Sequence, residues 1–137
     1  MVTKVALGLG ISLISGVAYA MPAVVDYVID GDTFGAHVLV SDDINVDVRV
    51  RIANIDAPEI HGRCEFETML AHRARDRLAE LLPIGESVDL TDIRDDKYLG
   101  RIDARVIHAK HGDVGRVMMT ENLARKYDGG HRYGWCD

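Results

Sequence analysis

The chain is short of thiols, short of cations and free of grouped histidines, and each shortage removes a class of function. Two cysteines in 137 residues, Cys64 and Cys136, are too few for a thiolate metal site and form no Cys-x-x-Cys redox motif. The histidines, at 37, 61, 72, 108, 111 and 131, show no His-x-His or His-Glu-x-x-His pattern, so zinc chemistry is not expected. Lysine and arginine number 16 against 22 acidic residues, a formal charge of -6. That sign disfavours a protein that simply coats nucleic acid, because non-specific affinity for phosphates rests on cations. Repeats, low-complexity tracts and linkers are also lacking, which points to one domain with a single core.

No apolar run is long enough to span a bilayer comfortably. The run from Val5 to Ala20 falls short of the roughly 20 residues a spanning helix needs. Lys4 before it and Ala18-Tyr19-Ala20 at its end instead give residues 1–20 the form of a secretory signal, cleaved ahead of Met21. The expected mature domain is then 21–137, secreted or periplasmic, with no stable membrane association after cleavage. In an oxidising compartment Cys64 and Cys136 are expected to pair rather than remain two unrelated thiols. Such a bridge closes a loop of roughly 70 residues, worth on the order of 4 kcal/mol in the chain-entropy model.

What the chain does contain is carboxylate chemistry, concentrated in its first half. Ile29-Asp30-Gly31-Asp32-Thr33 and Asp56-Ala57-Pro58-Glu59 flank a strand that carries Arg51. Carboxylates on separate segments suit a hard cation, and an arginine beside them suits an anion held next to that cation. A phosphate needs both.

Residues Val24–Ile29 and Thr33–Val40 read as a hairpin about the Asp30-Gly31 turn. Val46, Val48, Val50 and Ile52 alternate with Asp47, Arg49 and Arg51, the period of a half-buried strand. Apolar positions 66, 69, 70, 74, 78, 81 and 82 follow helical spacing until Pro83 and Gly85 stop it. The basic residues on that helix read as a solvated face. Short strands are expected around 88–91 and 102–108, and a last helix from about Asp113 to Lys126. This order suggests a small curled sheet or barrel capped by helices. Between the last two strands, Asp95-Asp96-Lys97-Tyr98-Leu99-Gly100-Arg101 offers cations and a phenol to a phosphate or a base.

Taken in order, Ile29–Thr33, Arg51–Glu59 and Asp96–Arg101 resemble the motifs of the thermonuclease family, the staphylococcal nuclease-like domains. The resemblance covers about Val24 to Tyr127, and Leu99 makes the third motif one residue longer than its simplest form. It implies a mainly β, α+β fold: an OB-fold barrel of five strands with flanking helices. It also implies a calcium-dependent endonuclease that hydrolyses phosphodiester bonds of DNA or RNA, expected as a monomer. On this resemblance Asp32, Asp56 and the Ala57 carbonyl correspond to calcium ligands, with Asp30 close by. Glu59 corresponds to the general base, and Arg51 and Arg101 to the arginines on the scissile phosphate. Lys97 and Tyr98 correspond to contacts with an outer phosphate, and Tyr127 or Tyr133 to the tyrosine near the base.

The residue types suit that chemistry on their own account. Phosphodiester hydrolysis requires charge neutralisation, a positioned water and stabilisation of a pentacovalent oxyanion. Calcium accepts hard oxygen ligands and retains waters, and arginine grips phosphate through two parallel bonds without losing its charge. The rival expectations are a catalytically silent OB-fold module that binds oligonucleotides or a protein, and a calcium-binding protein whose acidic pair is structural.

Overall fold

The computed structural model describes residues 19–136, so residues 1–18 of the expected signal segment lie outside it. Strand β1 spans Ala20–Asp30, β2 Thr33–Ser41 and β3 Ile44–Ile52, and a short β4 covers Ile55–Asp56. Helix α1 follows over Glu65–Leu81, then β5 over Ser87–Asp95 and β6 over Arg101–His108. A two-residue β7, Gly112–Asp113, leads into α2, Val114–Thr120, and β8 is Arg125–Lys126.

β1, β2 and β3 form an antiparallel meander, β5 pairs with the far side of β1, and β6 pairs with β5. The sheet closes because β6 also runs parallel to β3, with Arg49 opposite Arg101, Val50 opposite Ile102 and Arg51 opposite Asp103. The result is a closed five-stranded OB-like barrel with β7 outside it and two flanking helices. Closure needs strong curvature, which irregularities in β1 after Val25 and Val28 and a positive φ of 50° at Asp92 in β5 provide.

Alternation decides what fills the barrel. Val25, Phe34, Val50, Ile52, Leu90 and Val106 point inward and are almost fully buried, and Leu78 and Leu81 of α1 join the same core. The alternation in β3 buries its apolar face only toward the C-terminal half: Val46 is exposed, as are Leu39 and Val40 on the partner strand, because this end of the hairpin projects beyond the barrel.

Two expectations about helices are corrected. In α1 the buried face is Glu67, Ala71, Ala74, Leu78 and Leu81, while Phe66 and Met69 are exposed. Glu67 replaces them because its carboxylate has work at the N-terminus: it accepts the backbone N–H of Glu59 at 3.1 Å and of Arg63 at 3.0 Å. The last helix does not reach Lys126. It ends at Thr120 in a Schellman turn, where Asn122 takes φ 61° and the N–H groups of Asn122 and Leu123 bond back to Met119 and Met118. Leu123 and Ala124 then turn into the core, and Arg125–Lys126 pairs with Ile55–Asp56 as β8.

Candidate active site

The first acidic pair sits on the tight β1–β2 turn, and that turn is pressed into place. A Cβ added to Gly31 would lie 2.7 Å from the Cβ of Ala74 in α1 and 2.9 Å from the Cβ of Ala57. Only glycine lets the turn approach both so closely. Asp30 accepts the Asp32 N–H at 3.1 Å, which fixes the turn. Asp32 is 8% exposed and reaches across to the second cluster, where Oδ2 accepts the Ala57 N–H at 2.9 Å and Oδ1 accepts the Thr33 hydroxyl at 2.9 Å.

Asp56 lies on β4, 4% exposed, and no well-aligned hydrogen bond reaches its buried Oδ1. Arg51 rises from β3 between the two clusters. Its Nη2 is 3.7 Å from Asp32 Oδ2 and 3.8 Å from Asp56 Oδ1, and it donates to the Ile55 carbonyl at 3.2 Å. Glu59 stands further out, more than half exposed. At the start of β6, Arg101 donates to both oxygens of Asp96 in the preceding loop, at 2.9 and 3.3 Å, with its guanidinium 4.5 Å over the Tyr98 ring. Gly100 turns the chain into β6 at φ 77°. Leu99 is absorbed by pointing into solvent, and its carbonyl accepts from Arg49.

These residues share one polar cleft of about 360 Å³, lined by Asp30, Asp32, Arg51, Asp56, Glu59, Tyr98 and Arg101 together with Arg132. An adjoining cleft shares Arg51, Tyr98, Arg101 and Arg132 and adds Lys97, Asp103 and Tyr127. Tyr127 lies under Arg51, 5.9 Å from its guanidinium, held by a bond from its N–H to the Asn54 carbonyl. Tyr133 lies outside both clefts, edge-on to His131.

Electrostatics follow from crowding. Burial, then the charge of Asp32, pushes Asp30 up to about 7. Burial also raises Asp56, although Arg132 and Arg51 oppose it. At the other arginine, burial works to raise Asp96, but the hydrogen bond from Arg101 and that from the Tyr98 amide outweigh it and hold the carboxyl down at about 2. Burial and the neighbouring Asp96 raise Asp103.

This acidic set suits a cation. The buried Oδ1 of Asp56, reached only by poorly aligned arginine contacts, is an oxygen that a metal ion would satisfy, and the packed carboxylates are what a divalent charge would relieve. Among the described residues no three His, Cys, Asp or Glu side chains converge to enclose an ion. Side-chain ligation would therefore come from two carboxylates, with the remaining positions taken by backbone oxygen or water, as calcium tolerates.

Arg132 is the residue that sequence reasoning missed. Its Nη2 lies 2.7 Å from Asp56 Oδ1, a close ion pair with a poorly aligned hydrogen bond, and donates to Glu59 Oε1 at 2.9 Å. The available signal was the cysteine pair: Cys64 and Cys136 are bonded, with Cα atoms 6.0 Å apart, and this brings the tail back beside the Asp56–Glu59 segment. No protein-family model and no curated protein sequence matches the chain.

Proposed function

We propose that this protein is an exported, calcium-dependent nuclease of the thermonuclease type, cutting phosphodiester bonds in DNA or RNA as a monomer. The observation that carries the reading is the meeting, in one polar cleft, of Asp32, Asp56, Glu59, Arg51 and Arg101 from four separate chain segments. Asp32 and Asp56, with the Ala57 carbonyl, would hold calcium. When bound, calcium supplies charge neutralisation and polarises a phosphoryl oxygen.

The remaining steps belong to the protein's own side chains. Arg51, already braced by the Ile52 and Ile55 carbonyls, presents a fixed fork to the phosphate. Arg101 exchanges part of its pairing with Asp96 for a second phosphate oxygen, and the Tyr98 ring keeps its guanidinium in plane. Glu59, exposed at the mouth, takes the proton from the attacking water as the oxyanion forms between the two arginines; the phosphorus–oxygen bond to the leaving strand then breaks, and the departing oxygen takes a proton from solvent water. Lys97 and Tyr98 would contact an outer phosphate and Tyr127 the neighbouring base, from the adjoining cleft that they line.

The test uses the purified exported chain with denatured DNA and with RNA. Cleavage should need calcium and stop with EDTA. Glu59→Gln should lower kcat by roughly 10²–10⁴-fold and Arg51→Ala by about 10²–10³-fold, with unchanged circular dichroism. Equal cleavage by the wild type, both variants and the chelated enzyme sinks the mechanism. Oligonucleotide binding without cleavage would identify a silent OB-fold module instead.

A further inference from the structure

The contact between Arg132 and the acidic cleft does more than add a third arginine. One nitrogen, Nη2, stands against two carboxylates that come from different positions along the segment after β3: Asp56 at 2.7 Å and Glu59 at 2.9 Å. Both have roles in the reading given above, on which this inference rests. We propose that Arg132 is a tethered internal cation that fills the gap between Asp56 and Glu59 in the ion-free protein, so that a divalent ion binds only by displacing it.

The tail is built to deliver this side chain and to let it leave. On one side it starts from β8, whose Arg125 pairs in register with Asp56 itself. On the other it ends at Cys136, bonded to Cys64, next to Trp135, which is 8% exposed. Arg125 locks the two ends together, with its guanidinium 3.7 Å over the Trp135 ring and a 2.8 Å bond to the Gly134 carbonyl. Between these anchors, residues 128–134 are exposed and include Gly129 at φ 95° and Gly130. Arg132 therefore has a high effective concentration at the cleft, yet its side chain is 47% exposed and has solvent beside it into which displacement is possible.

Its hold on Asp56 is also incomplete. The 2.7 Å contact with Oδ1 of Asp56 is a close ion pair whose hydrogen bond is poorly aligned. An ion that coordinates that oxygen directly would hold it better. A resident cation of this kind prevents mutual repulsion of the carboxylates before the ion arrives. It also sets the concentration at which the ion can enter.

The experiment is a calorimetric titration of the full exported chain with calcium chloride at fixed salt, without substrate. Arg132→Ala should bind calcium about tenfold more tightly than the wild type, the size expected for removing one positive charge a few ångström from a divalent ion in a partly solvated site. Arg132→Lys should return most of the way to the wild-type affinity. Reducing the disulfide in the wild type should shift affinity in the same direction as Arg132→Ala, and reducing it in Arg132→Ala should add nothing further. Equal or weaker calcium binding by Arg132→Ala overturns the proposal while leaving the calcium site standing. No calcium binding by either protein overturns both.

Discussion

At the scale of single residues, Asp56 is held at a cost. Burial disfavours its ionised form by more than the adjacent Arg132 and Arg51 restore, and folding alone gives no reason to keep such a carboxylate. The cost is intelligible if the oxygen is reserved for a ligand. Asp56→Asn should therefore separate stability from function. The unfolding free energy of the ion-free protein, read from urea melts, should rise by about 0.5–2 kcal/mol, while calcium binding and cleavage fall together. A variant that loses stability instead would make Asp56 a structural residue. Arg51 and Glu59 were recognisable in the sequence because each stands at a fixed offset from Asp56. Arg132 was not, because nothing local marks it: its position depends on a bond between residues at opposite ends of the second half of the chain.

At the scale of elements, the segment that carries Asp56 and Glu59 is fixed by the first turn of α1. Cys64 caps the helix, and its Sγ faces the Glu67 N–H at 3.5 Å. Glu67 in turn accepts the N–H groups of Glu59 and Arg63, an arrangement close to a capping box that reaches back past the cap into the loop that carries Glu59. The Arg63 amide bond, set against burial and joined by that of Glu59, holds the Glu67 carboxyl below the usual range. A carboxylate lowered in the folded state contributes stability above the unfolded value and loses it as pH falls through the folded one. Glu67→Gln should cost about 1–2 kcal/mol at neutral pH, since one part-buried amide loses its charged acceptor. That difference, read from urea midpoints across a pH series, should be constant above about pH 5 and shrink under acid. A pH-independent difference would remove the charge from the explanation.

The same elements show where sequence reading ended. The β1–β2 hairpin, the alternation of β3 and the helix after the second cluster were legible because period and turn residues agreed. The early stop of α2 was not, since Asn122 adopts its left-handed turn in a stretch that otherwise reads as helix, and Leu123 and Ala124 are claimed by the core. The outward turn of Phe66 and Met69 was equally hidden. A buried, hydrogen-bonded glutamate sets the helix phase there, and a count of apolar positions cannot see it.

At the scale of the whole molecule, the fold was legible as a barrel from its order of elements, and closure is what the structure adds. The Cys64–Cys136 bond spans 72 residues and ties the tail to the N-terminus of α1, outside the barrel seam. Replacing both cysteines with serine should cost about 2–5 kcal/mol and lower Tm by roughly 10 °C or more. Thermal melts of the double variant check this. An unchanged Tm would mean that the tail packs through Trp135 and Arg125 alone.

The parallel seam between β3 and β6 has a consequence of a different kind. Arg49 and Arg51 meet Arg101 and Asp103 only across this pairing of strands some fifty positions apart, one of the distant contacts that form slowly in any chain. A nascent or partly folded chain thus carries the motifs but not the clamp. If the chain is the exported nuclease proposed above, that order of events is protective: a precursor held unfolded has no assembled cleft among its host's own nucleic acids, and the cleft comes into being only when the barrel shuts.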